Sequence, residues 1–240
     1  MNRTRIVGSL LLLGALCIAT AHEARAAAVW SVLSIRVEGD PQPWLDLVKK
    51  VAPLRQRLGI PAASVVQATL AGDATGTYFV STEYPSLTAL GEAAAKLEAD
   101  AEWPGLLKQL QAASKVVSSS LYVDRTPAGV KTTPMPPGGY GTGLAVRLDG
   151  DPSAYFALLS KFAANSERLG LPAPRVWLAT LAGPGTGSIL ITTAWPSLAA
   201  YEDAQKKLEG DAQSRELRAQ LEATGRKIVG SLLVRDRTPR

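Results

Sequence analysis

The stretch RLGIPAASVVQATLAGDATG, Arg57 to Gly76, returns as RLGLPAPRVWLATLAGPGTG, Arg168 to Gly187. The offset is 111 residues, so the repeated unit has to be read before the whole chain. Gly59 stands where a helix ends on a left-handed residue, Ile60 where the chain folds back over the last turn, and Pro61 prevents continuation. Gly170, Leu171 and Pro172 repeat this stop. A strand is expected over Ser64 to Ala71, then a turn at Gly72-Asp73-Ala74-Thr75-Gly76 and a strand from Thr77 to Tyr84. The recurring words are thus a helix stop, a strand and a hairpin.

Working outward, Trp30 to Glu38 alternates. Leu33, Ile35 and Val37 make one apolar face, and Trp30, Val32, Ser34 and Arg36 make a mixed one, which predicts a strand. Asp40-Pro41 and Asp151-Pro152 read as helix starts, with Asp as the cap. Trp44, Leu47, Val48, Val51, Leu54 and Leu58 then form one helical stripe, matched by Tyr155, Leu158, Leu159, Phe162 and Leu169. Tyr84-Pro85-Ser86-Leu87 ends the third strand and caps a second helix, as does Trp195-Pro196-Ser197-Leu198. Pro104-Gly105 interrupts that helix in the first copy, and Ser118 to Asp124 predicts a fourth strand.

From Arg36 to Asp100, about 30 of 65 positions match at the constant offset. Both copies close on Asp-Arg-Thr-Pro, at Asp124–Pro127 and Asp236–Pro239. The expected organisation is a first unit over 27–127, a Pro/Gly linker over 128–139 and a second unit over 140–240. Each unit runs strand, helix, strand, strand, helix, strand, the ferredoxin-like order. The expected fold is α+β: two tandem ferredoxin-like repeats packed sheet-to-sheet as a pseudo-dimeric α+β barrel.

The first 26 residues read as a secretory signal. Arg3 and Arg5 precede the apolar run Ile6 to Thr20, and Ala24-Arg25-Ala26 suits a signal peptidase. The expected location is periplasmic or secreted, with no stable membrane insertion after cleavage. Cys17 and His22 are the only cysteine and histidine, and both fall within that segment. A processed chain would hold no disulfide, Cys nucleophile, Ser-His-Asp triad or His base. It would also lack the ligands of common zinc, copper and non-haem iron sites and of histidine-held haem. No metal and no cofactor is expected. The full chain has 26 basic and 21 acidic residues. The leading segment carries Arg3, Arg5, Arg25 and Glu23, so 23 basic and 20 acidic residues remain beyond it. No run of like charge stands out, and nucleic acid is not an expected partner.

Candidate ligand-binding residues follow from two considerations. If the mixed strand faces line a barrel, Trp30, Val32, Ser34 and Arg36 stand opposite Gly141, Gly143, Ala145 and Arg147. Large residues replaced by small ones could leave a cavity, with Arg36 and Arg147 at its rim for a small apolar or anionic ligand. The alternative is that each Arg pairs with a nearby carboxylate such as Glu38 or Asp149. The copies also differ where Gln67 becomes Leu178, Val66 becomes Trp177, Tyr78 becomes Ile189, Glu83 becomes Ala194 and Tyr84 becomes Trp195. If one copy keeps a site, Gln67, Tyr78, Glu83 and Tyr84 favour the first, although Tyr78 and Glu83 have opposite strand parity. No catalytic residue is singled out.

The element order and the strand-end words Tyr84-Pro85-Ser86-Leu87 and Trp195-Pro196-Ser197-Leu198 resemble the dimeric α+β barrel superfamily. This includes antibiotic-biosynthesis-monooxygenase-like and NIPSNAP-like domains, and the resemblance covers both copies. It implies a barrel of two such units, in a superfamily with cofactor-independent oxygenases, haem enzymes and small-molecule isomerases. The leading expectation is small-molecule binding or protein interaction without a metal or redox cofactor, leaning away from catalysis, and a further homo-oligomer is compatible with it. The alternative is a metal-free, cofactor-independent oxygenase or isomerase acting on an aromatic or quinol-like substrate.

Overall fold

The computed structural model describes residues 28–240. The predicted signal, with Cys17 and His22, lies outside the described residues. Eight strands and six helices follow one another as β1 (Val29–Arg36), α1 (Gln42–Arg57), β2 (Ser64–Leu70), β3 (Tyr78–Tyr84), α2 (Leu87–Glu98), α3 (Trp103–Ala113) and β4 (Lys115–Asp124), and then β5 (Tyr140–Arg147), α4 (Ser153–Arg168), β6 (Arg175–Leu181), β7 (Ile189–Trp195), α5 (Leu198–Gly210), α6 (Ala212–Ala223) and β8 (Lys227–Asp236).

All neighbouring strands are antiparallel and close into one barrel, in the order β1-β3-β2-β8-β5-β7-β6-β4. Two sheets do not lie face to face. β2 hydrogen-bonds to β8 and β4 to β6, which joins the halves into a single sheet. Closure leaves no complete free edge, the usual solution for an antiparallel sheet.

The helix stops form as their residues dictate. Gly59 takes φ +66° and Gly170 φ +67°. The Ile60 N–H donates to the Arg55 carbonyl at 2.9 Å, and the Leu171 N–H to the Ser166 carbonyl at 2.8 Å. These bonds satisfy carbonyls the helix would otherwise leave unpaired. Ser86 and Ser197 cap α2 and α5 by accepting from the backbone N–H of Ala89 and Ala200. The starts of α1 and α4 differ from expectation. Pro41 and Pro152 hold the cap positions, while Asp40 and Asp151 accept from the N–H two residues on. Proline at the boundary gives the aspartate a turn to close instead of a helix to cap. Pro104 does not break a helix but opens α3 at its second residue, where its missing N–H costs nothing.

Strand parity sorts the core. Ile35, Val65 and Tyr78 pack under α1 around Trp44. Val29 and Tyr84 pack under α2 with Ile60 and Ala93. Val146, Val176 and Ile189 pack under α4 and α6 with Tyr155, Leu159 and Leu221. The helices therefore cover the outside, and the alternate residues face the barrel interior. No helix among the described residues is long and apolar enough to cross a membrane.

Candidate functional site

The interior is filled unevenly. Trp30 stacks on Trp177 with ring centroids 4.8 Å apart, and Tyr122 tilts against Trp30 at 5.6 Å. The Arg175 guanidinium lies 4.2 Å over the Trp177 ring. It makes a two-pronged contact with Glu83, at 2.7 and 2.8 Å, and a third bond to Asp124 at 2.9 Å. Burial opposes the charge on Arg175, but the bonds to Glu83 and Asp124 outweigh it and raise its pKa. Burial likewise raises the Tyr122 phenol. On the opposite side of the barrel the equivalent positions are small: Gly141 for Trp30, Val66 for Trp177, Val234 for Tyr122. Met135, from the linker, reaches into the space over Gly141. The large-to-small replacement thus leaves no cavity at Gly141, because a linker side chain occupies it.

A pocket of about 480 Å³ opens outside the barrel, between the second half's sheet and its helices. Its floor is Thr142 and Leu144 of β5, Ile191, Thr193 and Trp195 of β7, and Leu233 of β8. Its roof is Phe162 and Ser166 of α4, Tyr201, Gln205 and Leu208 of α5, and Arg218 of α6. Leu171, Pro172 and Pro174, just beyond the helix stop, form one wall, and Leu70 of β2 stands at the edge. Trp195 donates its Nε1–H to the Thr142 hydroxyl at 3.0 Å and meets Tyr201 edge-on at 5.5 Å. These contacts fix both rings, so the pocket has rigid aromatic walls and a few placed polar groups, as small-molecule sites do.

At the equivalent place in the first half the Arg55 side chain lies across the space between helix and sheet. Its guanidinium runs back over the helix stop and donates to the Pro61 carbonyl at 2.6 and 3.0 Å and to the Thr82 hydroxyl at 3.0 Å. It also reaches the Tyr84 hydroxyl at 3.5 Å. The equivalent residue in the second half is Ser166, whose hydroxyl turns away to the Phe162 carbonyl. Leu90 and Ala94 are replaced there by Tyr201 and Gln205. One half is plugged by its own side chain and the other is open.

Another groove, of about 490 Å³, runs between residues 127–133 and α4. Small residues and backbone dominate its lining, with Lys131 and Glu167 as its only charges, so few chemical groups converge there. Among the described residues no three His, Cys, Asp or Glu side chains are grouped so as to hold a metal ion.

The residues singled out in the sequence are dispersed. Trp30 and Trp177 meet inside the barrel, and Trp195 lines the pocket. Arg36 and Arg147 end β1 and β5 as exposed side chains. Arg147 donates to the Pro184 carbonyl at 2.6 Å. Gln67 accepts from Arg237 Nε at 3.1 Å. Tyr78 packs on Trp44 with centroids 5.0 Å apart, and burial raises its pKa. Tyr84 is buried beneath α2, whereas Glu83 faces the barrel. Gln67, Tyr78, Glu83 and Tyr84 therefore do not converge on one point. Phe162, Tyr201, Gln205 and Arg218 were not singled out, nor was Arg175. The replacement of Arg55 by Ser166 and of Leu90 by Tyr201 was the available signal, visible by extending the comparison of the copies onto their helices.

No protein-family model matches this chain, and no curated protein matches it. Solved structures do. A "putative monooxygenase" from Lactobacillus acidophilus superposes with a TM-score of 0.59 at 7% identity, over 88% of this chain and 93% of that one. A mutant chlorite dismutase from Candidatus Nitrospira defluvii gives 0.52 at 10%, over 88% and 91%. A heme-binding protein from Thermus thermophilus gives 0.52 at 11%, over 88% and 91%. At these identities the likeness is one of fold.

The neighbours correct the leading expectation from the sequence. That expectation was a small-molecule binder or interaction protein, whereas the superposed proteins are named as a putative monooxygenase, a chlorite dismutase and a heme-binding protein. The alternative expectation, an oxygenase or isomerase, agrees with them better. A histidine-held heme does not fit the residues present. The described chain has no imidazole and no thiolate, and the pocket's one phenol, Tyr201, is packed edge-on against Trp195.

Proposed function

We propose that this chain is a cofactor-independent oxygenase or isomerase of an aromatic, quinol-like substrate, working in the pocket between β5, β7 and β8 and helices α4 to α6. The observation that carries the reading is the convergence of Phe162, Trp195 and Tyr201 with Gln205 and Arg218 on one space of about 480 Å³. Three aromatic walls suit a planar ring. Leu144, Ile191, Leu208 and Leu233 exclude water from its edges, which strengthens every polar contact inside. An ionised hydroquinone supplies its own electrons to dioxygen, so the chain's task is to bind the ring, orient it and steady the charge on its oxygen. Arg218 is the cation at the pocket for that charge.

The finer architecture belongs to the same proposal. Residues 27–127 and 140–240 are two ferredoxin-like units in tandem, one of which keeps an open pocket. The strand orders β4-β1-β3-β2 and β8-β5-β7-β6 support this, as does the sequence match at the constant offset. The chain acts outside the cytoplasm after loss of residues 1–26, a reading supported by the basic, apolar and small-residue succession of that segment.

Oxygen uptake by the purified chain, supplied with a panel of hydroquinones and polycyclic phenols and followed by product analysis, tests the proposal. Uptake or rearrangement of at least one substrate is expected. Ser166→Arg, which copies the plug of the first half, is expected to abolish it while the circular dichroism stays unchanged. A panel that yields neither uptake nor rearranged product overturns the reading.

A further inference from the structure

The plug in the first half reports what the open pocket can bind. The two helix stops have the same geometry, with Gly59 and Gly170 one degree apart in φ and matching bonds from Ile60 and Leu171. Thr82 pairs with Ser31 across β1 and β3, and Thr193 pairs with Thr142 across β5 and β7 in the same register. The Pro172 carbonyl and the Thr193 hydroxyl therefore stand where the Pro61 carbonyl and the Thr82 hydroxyl stand in the first half. There both accept from Arg55. In the second half no described residue donates to either one, although Pro172 and Thr193 both line the pocket.

The third contact of the plug is not reproduced. Tyr84 is replaced by Trp195, whose N–H is already committed to Thr142. What remains at this end of the pocket is a pair of acceptors beside an aromatic face. Unpaired acceptors that lose water need a donor from whatever enters. The first half supplies a guanidinium, but the open pocket disfavours a cation. No carboxylate lines it, and Arg218 does. A positive ligand would meet a like charge with no counter-ion.

We infer that the Pro172 carbonyl and the Thr193 hydroxyl receive a neutral O–H donor, the hydroxyl of a phenol or hydroquinone whose ring lies against Trp195. The pocket then has two poles. One accepts a protonated hydroxyl at Pro172 and Thr193. The other, at Arg218, holds the oxygen that carries negative charge. A ring with two hydroxyl groups satisfies both, and a ring whose oxygens are methylated satisfies neither acceptor. The assignment rests on the pocket being the site for an aromatic substrate, and it goes further in naming the groups the substrate must present.

Two arms of one experiment separate this inference from the proposal beneath it. The first compares thermal shifts caused by 1,4-naphthohydroquinone under anaerobic conditions with those caused by its dimethyl ether. The hydroquinone is expected to bind at least tenfold more tightly, and Thr193→Val is expected to weaken it about tenfold without changing the ether. Equal binding of the two compounds, unaffected by Thr193→Val, overturns the donor assignment while the pocket keeps its aromatic ligand. The second arm uses no ligand. Ser166→Arg places a guanidinium over the same acceptors, so Thr193→Val should lower the melting temperature by about 3 °C more in that background than in the unaltered chain. Coupling in this arm with no response to either compound supports the acceptor pair and counts against the substrate class. Absence of coupling overturns the inference.

Discussion

Trp30 and Trp177 stack inside the barrel, 4.8 Å between ring centroids, and join the two halves through a single aromatic contact. Their counterparts across the barrel are Gly141 and Val66, so the interior is wide-filled on one side and narrow-filled on the other. Trp177 is 2% exposed, and its Nε1–H donates to Thr192 at 3.1 Å. Trp177→Val, which copies the other side, removes the stack and leaves a void that a closed eight-strand barrel cannot collapse. A loss of about 3 kcal/mol is expected, read as a lower urea midpoint with an unchanged slope. A loss under about 1 kcal/mol would show that the stack contributes little.

Gly141 has a different constraint. A Cβ there would stand 2.5 Å from Met135 Cε and 2.9 Å from Val234 Cγ2. The methionine end can swing away, but the branched valine on β8 cannot. Gly141→Ala is therefore expected to destabilise by about 1–2 kcal/mol, and Met135→Ala in the same chain should recover part of that. Strictly additive effects in the four-protein comparison would show that Met135 does not fill the space over Gly141.

The element order was legible because each boundary carries its own chemistry. The Gly59-Ile60-Pro61 stop, the Ser86 cap and the two-residue alternation of β1 are local signals, and the closed barrel preserves all of them. How the sheets join was less legible. Pairing of β2 with β8 and of β4 with β6 depends on strand ends meeting across the molecule, and no local pattern marks it. The site escaped for a related reason. Strand parity separated Tyr78 from Glu83, as the sequence already implied, but the pocket is roofed by α4, α5 and α6. Its decisive difference, Arg55 against Ser166, lies in a helical stretch where solvated charge is the ordinary reading. That Arg55 turns inward over its own helix stop can be known only once Pro61, Thr82 and Tyr84 are placed around it.

Acid should act through Asp211. Its carboxylate accepts from the Arg168 guanidinium, then from the backbone N–H and hydroxyl of Ser214 and the amide of Asn165. The bond to Arg168 is the largest cause, and together they hold the acid well below the usual carboxylate range. A group whose folded pKa is depressed stabilises the fold above its unfolded value, near 4, and loses that contribution as pH falls towards the folded value. Stability should therefore decline below about pH 4, and Asp211→Asn should flatten that decline while lowering stability at neutral pH. Urea midpoints from pH 2 to 7 measure both, and an acid limb unaltered by the substitution would place the titration elsewhere.

Tyr155 supplies the reverse case, a polar group whose removal should do no harm. Its hydroxyl is buried with no hydrogen-bond partner among the described residues, in the cluster formed by Val146, Leu159, Val176, Ile189 and Leu221. The ring fills the place that Trp44 takes in the first half, so the aromatic bulk is what packing requires. An unpaired hydroxyl in such surroundings is a desolvation cost with no return. Tyr155→Phe keeps the ring and deletes the cost. It is expected to leave stability unchanged or raise it by up to about 1 kcal/mol, whereas Tyr155→Ala should lower it by about 3–5 kcal/mol through the cavity left behind. A measurable loss on Tyr155→Phe would mean that the hydroxyl has a partner in solution, an internal water being the simplest, and a solvent-exchange experiment on that site would then find it.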